Sequence, residues 1–186
     1  MKKYVIVLCG AALLAAAAAS AFEIPGAGGK VDTKKIDELI ASIQEVSGTL
    51  EEARGKIDEC TTTLATIAEA HGIADLMSDP AKAVELKDAV TDEEKAELQA
   101  QGEVIQTVPD DLNAAAEKAT EIAGKIPDAL TDLVDQISKN PMAAASLKDK
   151  KEKLEEGKLA LEEIVTEVPE LVESATSLAA KVASLL

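Results

Sequence analysis

Few side chains in this sequence carry acid–base, nucleophilic or metal chemistry on their own. There is one histidine, His71, and two cysteines, Cys9 and Cys60, set among many carboxylates. Helical proteins that hold two irons place a glutamate three residues before each ligating histidine on facing helices. Here that position is Ala68, and no second histidine exists. No cysteine or histidine pair has zinc-ligand spacing, and no serine, threonine or cysteine has a base that spacing would place beside it. Asp128, Asp132 and Asp135 recur every three or four residues, which lines them along one side of a helix. An EF-hand loop needs oxygen ligands at alternating positions and a central glycine. Glu93-Glu94, Glu155-Glu156 and Glu162-Glu163 fall on the outer positions of a heptad pattern. The sequence therefore nominates no catalytic residue, no metal ligand and no cofactor, and the chain reads as a non-enzyme.

His71 stands before Gly72 at the end of a periodic segment, where a last-turn cation suits the helix dipole. Cys60 supports two readings. On an apolar seam between Ile57 and Leu64 it is a small core filler, and as the lone cysteine of the chain beyond residue 21 it is a candidate for an intermolecular disulfide.

The other conspicuous residues are prolines within otherwise helical text. Q-T-V-P-D-D-L (Gln106 to Leu112) and T-E-V-P-E-L (Thr166 to Leu171) match each other about sixty residues apart. A proline inside a helix loses a hydrogen bond and clashes with the preceding turn, at a cost of about 3 kcal/mol. The counterpart in the first periodic segment is I-Q-E-V-S-G-T-L, from Ile43, so Ser47, Gly48, Pro109 and Pro169 are the candidate hinge or kink residues. The apolar phase continues across each proline, which predicts kinked but unbroken helices with Asp110, Asp111 and Glu170 near the freed amides. The alternative is that each proline starts a new helix, because valine before proline resists the α region.

Three seams position these residues. The first runs through Ile36, Leu39, Ile43, Val46, Leu50, Ala53, Ile57, Cys60, Leu64 and Ile67 in alternating steps of three and four. Asp32 or Thr33 caps its start, and His71-Gly72 ends it. The second uses Leu98, Ile105, Val108, Leu112, Ala115, Ala119, Ile122 and Ile126. The third uses Leu154, Leu161, Val165, Val168, Val172, Ala175, Ala179, Val182 and Leu186. Thr91 with Glu94 offers a capping box. S-D-P-A-K-A-V-E-L-K-D and K-N-P-M-A-A-A-S-L-K-D each place a proline after a capping residue, and short helices are expected near residues 80–90 and 127–139. The expected fold is all-α, an elongated antiparallel bundle of three long helices at about 32–71, 92–125 and 150–186, with short connecting helices and an internal repeat.

At the front, Lys2 and Lys3, an apolar run and small residues at Ala19 and Ala21 predict a bacterial signal peptide over residues 1–21. Residues 22–31, rich in glycine, form a flexible arm, and 32–186 form a single helical domain. Bulky Leu8 before Cys9 argues against lipoprotein anchoring, so the expected location is extracytoplasmic, periplasmic or secreted. The net charge is −16, and the leader carries two lysines and no acid, so the remainder is more negative still. Such a chain repels nucleic acid. Beyond Tyr4 the only aromatic residue is Phe22, which removes the stacking platforms used for sugars and bases. The expected function is an exported bundle acting through a protein partner or self-association, as an envelope structural component, adaptor or chaperone-like factor. The alternative is lipid or apolar-ligand binding by a bundle that opens, although interfacial helices usually carry basic polar faces.

Overall fold

The computed structural model describes residues 33–73 and 80–186. The expected signal peptide, the arm, Asp32 and the capping Asp79 lie outside the described residues. What is described is all-α, with no strand. Helix α1 spans Lys34–Ala70, α2 Pro80–Ala89, α3 Asp92–Lys139 and α4 Ala144–Leu185, with a 3₁₀ turn at Pro141–Ala143 before α4.

Local chemistry sets the ends. Gly72 takes φ +68, the Ile73 amide donates to the Ala68 carbonyl at 2.8 Å and the Gly72 amide to Glu69 at 3.0 Å. This pair of bonds satisfies two terminal carbonyls and seals α1 with buried Ile73. At the start of α3 the Thr91 hydroxyl accepts from the Glu94 amide at 3.3 Å, and the Glu94 carboxylate accepts from the Thr91 amide at 2.8 Å. The capping box is therefore formed as expected.

Burial follows two of the three seams closely. In α1 every predicted position from Ile43 to Ile67 is buried, as is Ile36, and only Leu39 is half-exposed. In α3 all eight predicted residues are buried, and the same face continues through Gly102, Ala129 and Leu133. The third seam needs correction. Ile164, Leu178 and Leu185 are buried where Val165, Ala179 and Leu186 were expected, and Val165 and Leu186 are exposed. Leu154, Gly157, Leu161, Ile164, Val168, Leu171, Ala175, Leu178, Val182 and Leu185 make an unbroken alternation of threes and fours, with Leu171 half-exposed. With Val172, which is half-exposed, the misassigned residues form a neighbouring stripe spaced by sevens, which periodicity alone did not separate from the core.

A second correction concerns residues 126–149. No separate short helix follows Pro127; α3 runs through it to Lys139. Ile126, Ala129 and Leu133 are buried in phase with the residues before the proline, so packing offsets the lost hydrogen bond. The connection to α4 shrinks to Asn140 and the 3₁₀ turn. Asn140 does not cap forward; its side-chain amide donates back to the Gln136 carbonyl at 3.3 Å. Pro80 does open a short helix, as the sequence predicts.

α3 and α4 share the widest contact, and α1 packs on both. Polar contacts fix the register. Glu45 pairs with Lys118, Lys56 with Asp111, Glu59 with Gln101 and His71 with Glu94, so numbers rise along α1 as they fall along α3. Asp37 pairs with Lys150 and Arg54 with Glu167, so α1 and α4 rise together. Among the described residues no polar or charged residue is buried, and the core is aliphatic apart from Cys60 and two glycines.

Candidate functional site

The candidate hinge residues lie in helices that are α-helical on both sides of the disputed positions: Pro109 in α3 and Pro169 in α4 interrupt neither. Each follows a buried valine, Val108 at 0 % and Val168 at 3 % exposure. Proline lacks an amide hydrogen, so the carbonyls of Ile105 and Val165 lose their helical donors.

The contacts around these prolines converge on one short stretch of α1. Arg54, the sole arginine of the chain, pairs with Glu167, two residues before Pro169. Lys56 approaches Asp111, two residues after Pro109, at 3.7 Å, and also holds Glu52 at 3.0 Å. Between Arg54 and Lys56 stands Gly55. A Cβ added there would meet nothing within 4 Å, so no packing demand explains a glycine in mid-helix. Glu167 and Asp111 thus reach α1 on either side of Gly55, while the contact of Gly102 with Val182 sets Pro109 opposite about residue 175 of α4, so the two prolines are staggered by about six residues, roughly 9 Å. Ser47 and Gly48, the expected counterparts in α1, sit two turns earlier, about 10 Å along the helix and beside the Glu45–Lys118 pair. The repeated text aligned Gly48 with the prolines; it is Gly55 that stands between the cations reaching Glu167 and Asp111.

A helix-interior glycine costs about 1 kcal/mol relative to alanine and a helix-interior proline about 3, so Gly48 and Gly55 weaken the backbone of α1, Pro109 and Pro127 that of α3, and Pro169 that of α4. A shallow groove of about 240 Å³, lined by Thr49, Glu52, Ala53, Lys56 and Asp111, runs between α1 and α3 beside Pro109. Its charged groups are already paired through Lys56, and the Thr49 hydroxyl donates to the Glu45 carbonyl at 3.1 Å.

Two of the structure's close-packed positions had no place among the predicted residues. Gly102 faces Val182, whose Cγ1 would lie 3.0 Å from an added Cβ, and Gly157 faces Ile43. The signal was present: the second and third seams each skip one position, and glycine fills both gaps.

Cys60 is fully buried on the α1 seam. Burial, then the neighbouring Glu59, pushes its thiol above the ordinary 9.0, so little thiolate is available for exchange. The geometry favours the core-filler reading, and a disulfide to another chain requires α1 to lift away.

His71 joins the end of α1 to the start of α3, with Nε2 3.0 Å from the Glu94 carboxylate. That carboxylate also accepts from the Thr91 hydroxyl at 2.8 Å. The Thr91 amide, then His71 and the Thr91 hydroxyl, hold Glu94 down from 4.5 to about 2. Its hydrogen-bonding capacity goes to capping and to joining two helices, which is a structural task. Among the described residues no group of histidines, cysteines or carboxylates is placed to hold a metal, and no helix is long and apolar enough to cross a membrane. No protein-family model, curated protein or solved structure matches the chain.

Proposed function

We propose that the chain is exported after cleavage following Ala21 and works without catalysis, as an antiparallel three-helix bundle that acts through protein–protein contact. Envelope structural component, adaptor and chaperone-like factor are the roles this includes. The observation that carries the reading is how the helices use their faces. The apolar stripes of α1, α3 and α4 are spent on one another, and the outward faces are long, charged and strongly acidic in sum. Such a surface suits a partner with basic or mixed charge and suits neither nucleic acid nor an anionic membrane.

Photo-crosslinking side chains at outward positions Asp110 and Glu163, in protein expressed in its native envelope, test this. A discrete protein adduct from one face supports the reading. No adduct from either face, together with flotation of the purified protein with vesicles at moderate salt, overturns it in favour of lipid binding.

One observation favours that second reading. With no polar residue buried among those described, no hydrogen bond or ion pair within the core ties the helices to one another, and an opened bundle would present three continuous aliphatic stripes to an apolar phase.

A further inference from the structure

We propose that a second copy of this chain docks, reversed end for end, on the face of the α3–α4 pair that turns away from α1. This rests on the reading of a bundle that works through protein–protein contact, and it names the partner and the surface. Lys56 and Glu45 hold α3 at Asp111 and Lys118, and Arg54 holds α4 at Glu167, so these residues mark the side of each helix that faces α1. Five residues beyond each, about 140° round the helix, lies a second row on the far side. On α3 that row is Pro109, Ala116, Ala123, Leu130 and Ile137, all half-buried. The row beside it, Gln106, Asn113, Thr120, Pro127 and Val134, carries no charge either. On α4 the matching residues are Val165, Val172 and Ala179, flanked by Pro169 and Thr176. In a chain of net charge −16, these rows are the exception.

At the hairpin end the face opens into a groove of about 380 Å³ beside Val134, Ile137, Lys151 and Glu155. At the other end α2 meets α4 beyond these rows, where Lys87 Nζ donates to the Ser184 carbonyl at 3.3 Å. From Gln106 to Ile137 the face is about 46 Å long, and two packed helices make it about 15 Å across. It offers about 700 Å² per copy, or about 1,400 Å² in a pair, which is the size of a stable interface. Its occupant needs an uncharged stripe of equal length and the same seven-residue period, and this face is itself such a stripe. Alanine and proline lose no rotamer freedom when covered, and the helix-interior prolines Pro109, Pro127 and Pro169 all stand here. Charge sets the direction. Lys148, Lys151 and Lys158 border the hairpin half of the α4 side, the latter two beside Glu155 and Glu162, whereas Glu173 borders the other half. Reversal about the middle of the face sets Lys151 and Lys158 of each α4 on either side of Glu173 of the other, and twofold symmetry makes the pairing reciprocal. Docked in the same direction, the lysines of both copies would crowd one end.

Sedimentation equilibrium of the processed chain tests the pair. At about 100 μM it is expected to be dimeric, and more so as salt screens the repulsion between two acidic copies. Thr120→Glu and Ala123→Glu each place a charge on the face and should leave a monomer with unchanged circular dichroism, because Thr120 is exposed and Ala123 half-exposed. Ala114→Glu adds the same charge at an exposed position elsewhere on α3 and should leave the dimer intact. A monomer throughout, or a dimer equally sensitive to Ala114→Glu, overturns the inference.

A photo-crosslinking side chain at Thr120, near the middle of the α3 side, identifies the occupant in the native host. The expected adduct joins α3 of one copy to α3 of another. An adduct to residues 22–32 of the same chain, to lipid, or to a different protein overturns the inference. The last of these leaves the proposed function standing, so the two fail separately.

Discussion

Gly157 of α4 lies directly against Ile43 of α1: a Cβ at position 157 would stand 2.6 Å from Ile43 Cδ1 and 3.2 Å from its Cγ2. The absence of a side chain is what lets the two helices approach here. Gly157→Ala gains about 1 kcal/mol of helix propensity but overpacks a buried contact, which typically costs 1–3 kcal/mol or somewhat more for an immobile neighbour. The expected net result is a loss of about 1 kcal/mol in urea unfolding. Ile43→Val removes the nearer clash and should recover part of that loss in the double variant. Additive losses in the two single variants would show that the contact is not the cause.

Gly48 and Gly124 present the opposite case. Both are exposed within helices and have nothing within 4 Å of an added Cβ. Replacing either by alanine is expected to stabilise the protein by about 0.5–1 kcal/mol, read as a higher denaturation midpoint at unchanged slope. The contrast between these sites and Gly157 separates glycines kept for close approach from glycines that packing does not require.

The same contrast shows what the sequence could and could not convey. The α1 seam was legible because its apolar residues have no apolar neighbours one step away for most of its length. In α4 the sequence offers Ile164-Val165 and Leu185-Leu186, adjacent apolar pairs, and which member turns inward depends on where α1 and α3 lie. That information is tertiary. Pro127 was misread for a related reason: its local cost is plain in the sequence, whereas the burial of Ala129 and Leu133 that offsets it appears only once α4 packs there. Of the candidate hinge residues, both prolines were visible as text. The ion pairs on either side of Gly55 were not, because they depend on how α1 docks on α3 and α4.

Cys60 should behave as an interior residue. Under native conditions a neutral alkylating reagent is expected to modify it only as fast as α1 opens, and a non-reducing gel should show monomer. Cys60→Ser places a hydroxyl in an aliphatic site and is expected to cost about 1–3 kcal/mol. Rapid native alkylation, or a disulfide-linked dimer, would place the thiol elsewhere.

Glu94 sets an acid dependence of stability. Its pKa lies below the ordinary value of 4.5, at about 2, chiefly because the Thr91 amide and then His71 bind the ionised carboxylate. The stabilisation it provides is therefore complete above about pH 4.5 and is lost as pH falls through about 2. Glu94→Ala should lower the urea midpoint at neutral pH, and the gap from wild type should close over that acidic window. A gap that stays constant from neutral pH down to 2 would mean the carboxylate's charge does not matter.

The turn between α3 and α4 is the shortest link between long helices, only Asn140 and three further residues, and it joins the pair with the widest contact. Closing so short a loop costs little chain entropy, and the contacts nearest it are local in sequence. We expect this hairpin to assemble first during folding, with substitutions at Ala129 and Leu147 slowing folding and substitutions at Ile43 mainly speeding unfolding. In that order α1, though first to be synthesised, docks last, so a nascent chain presents its N-terminal helix unpartnered until the C-terminal pair has formed.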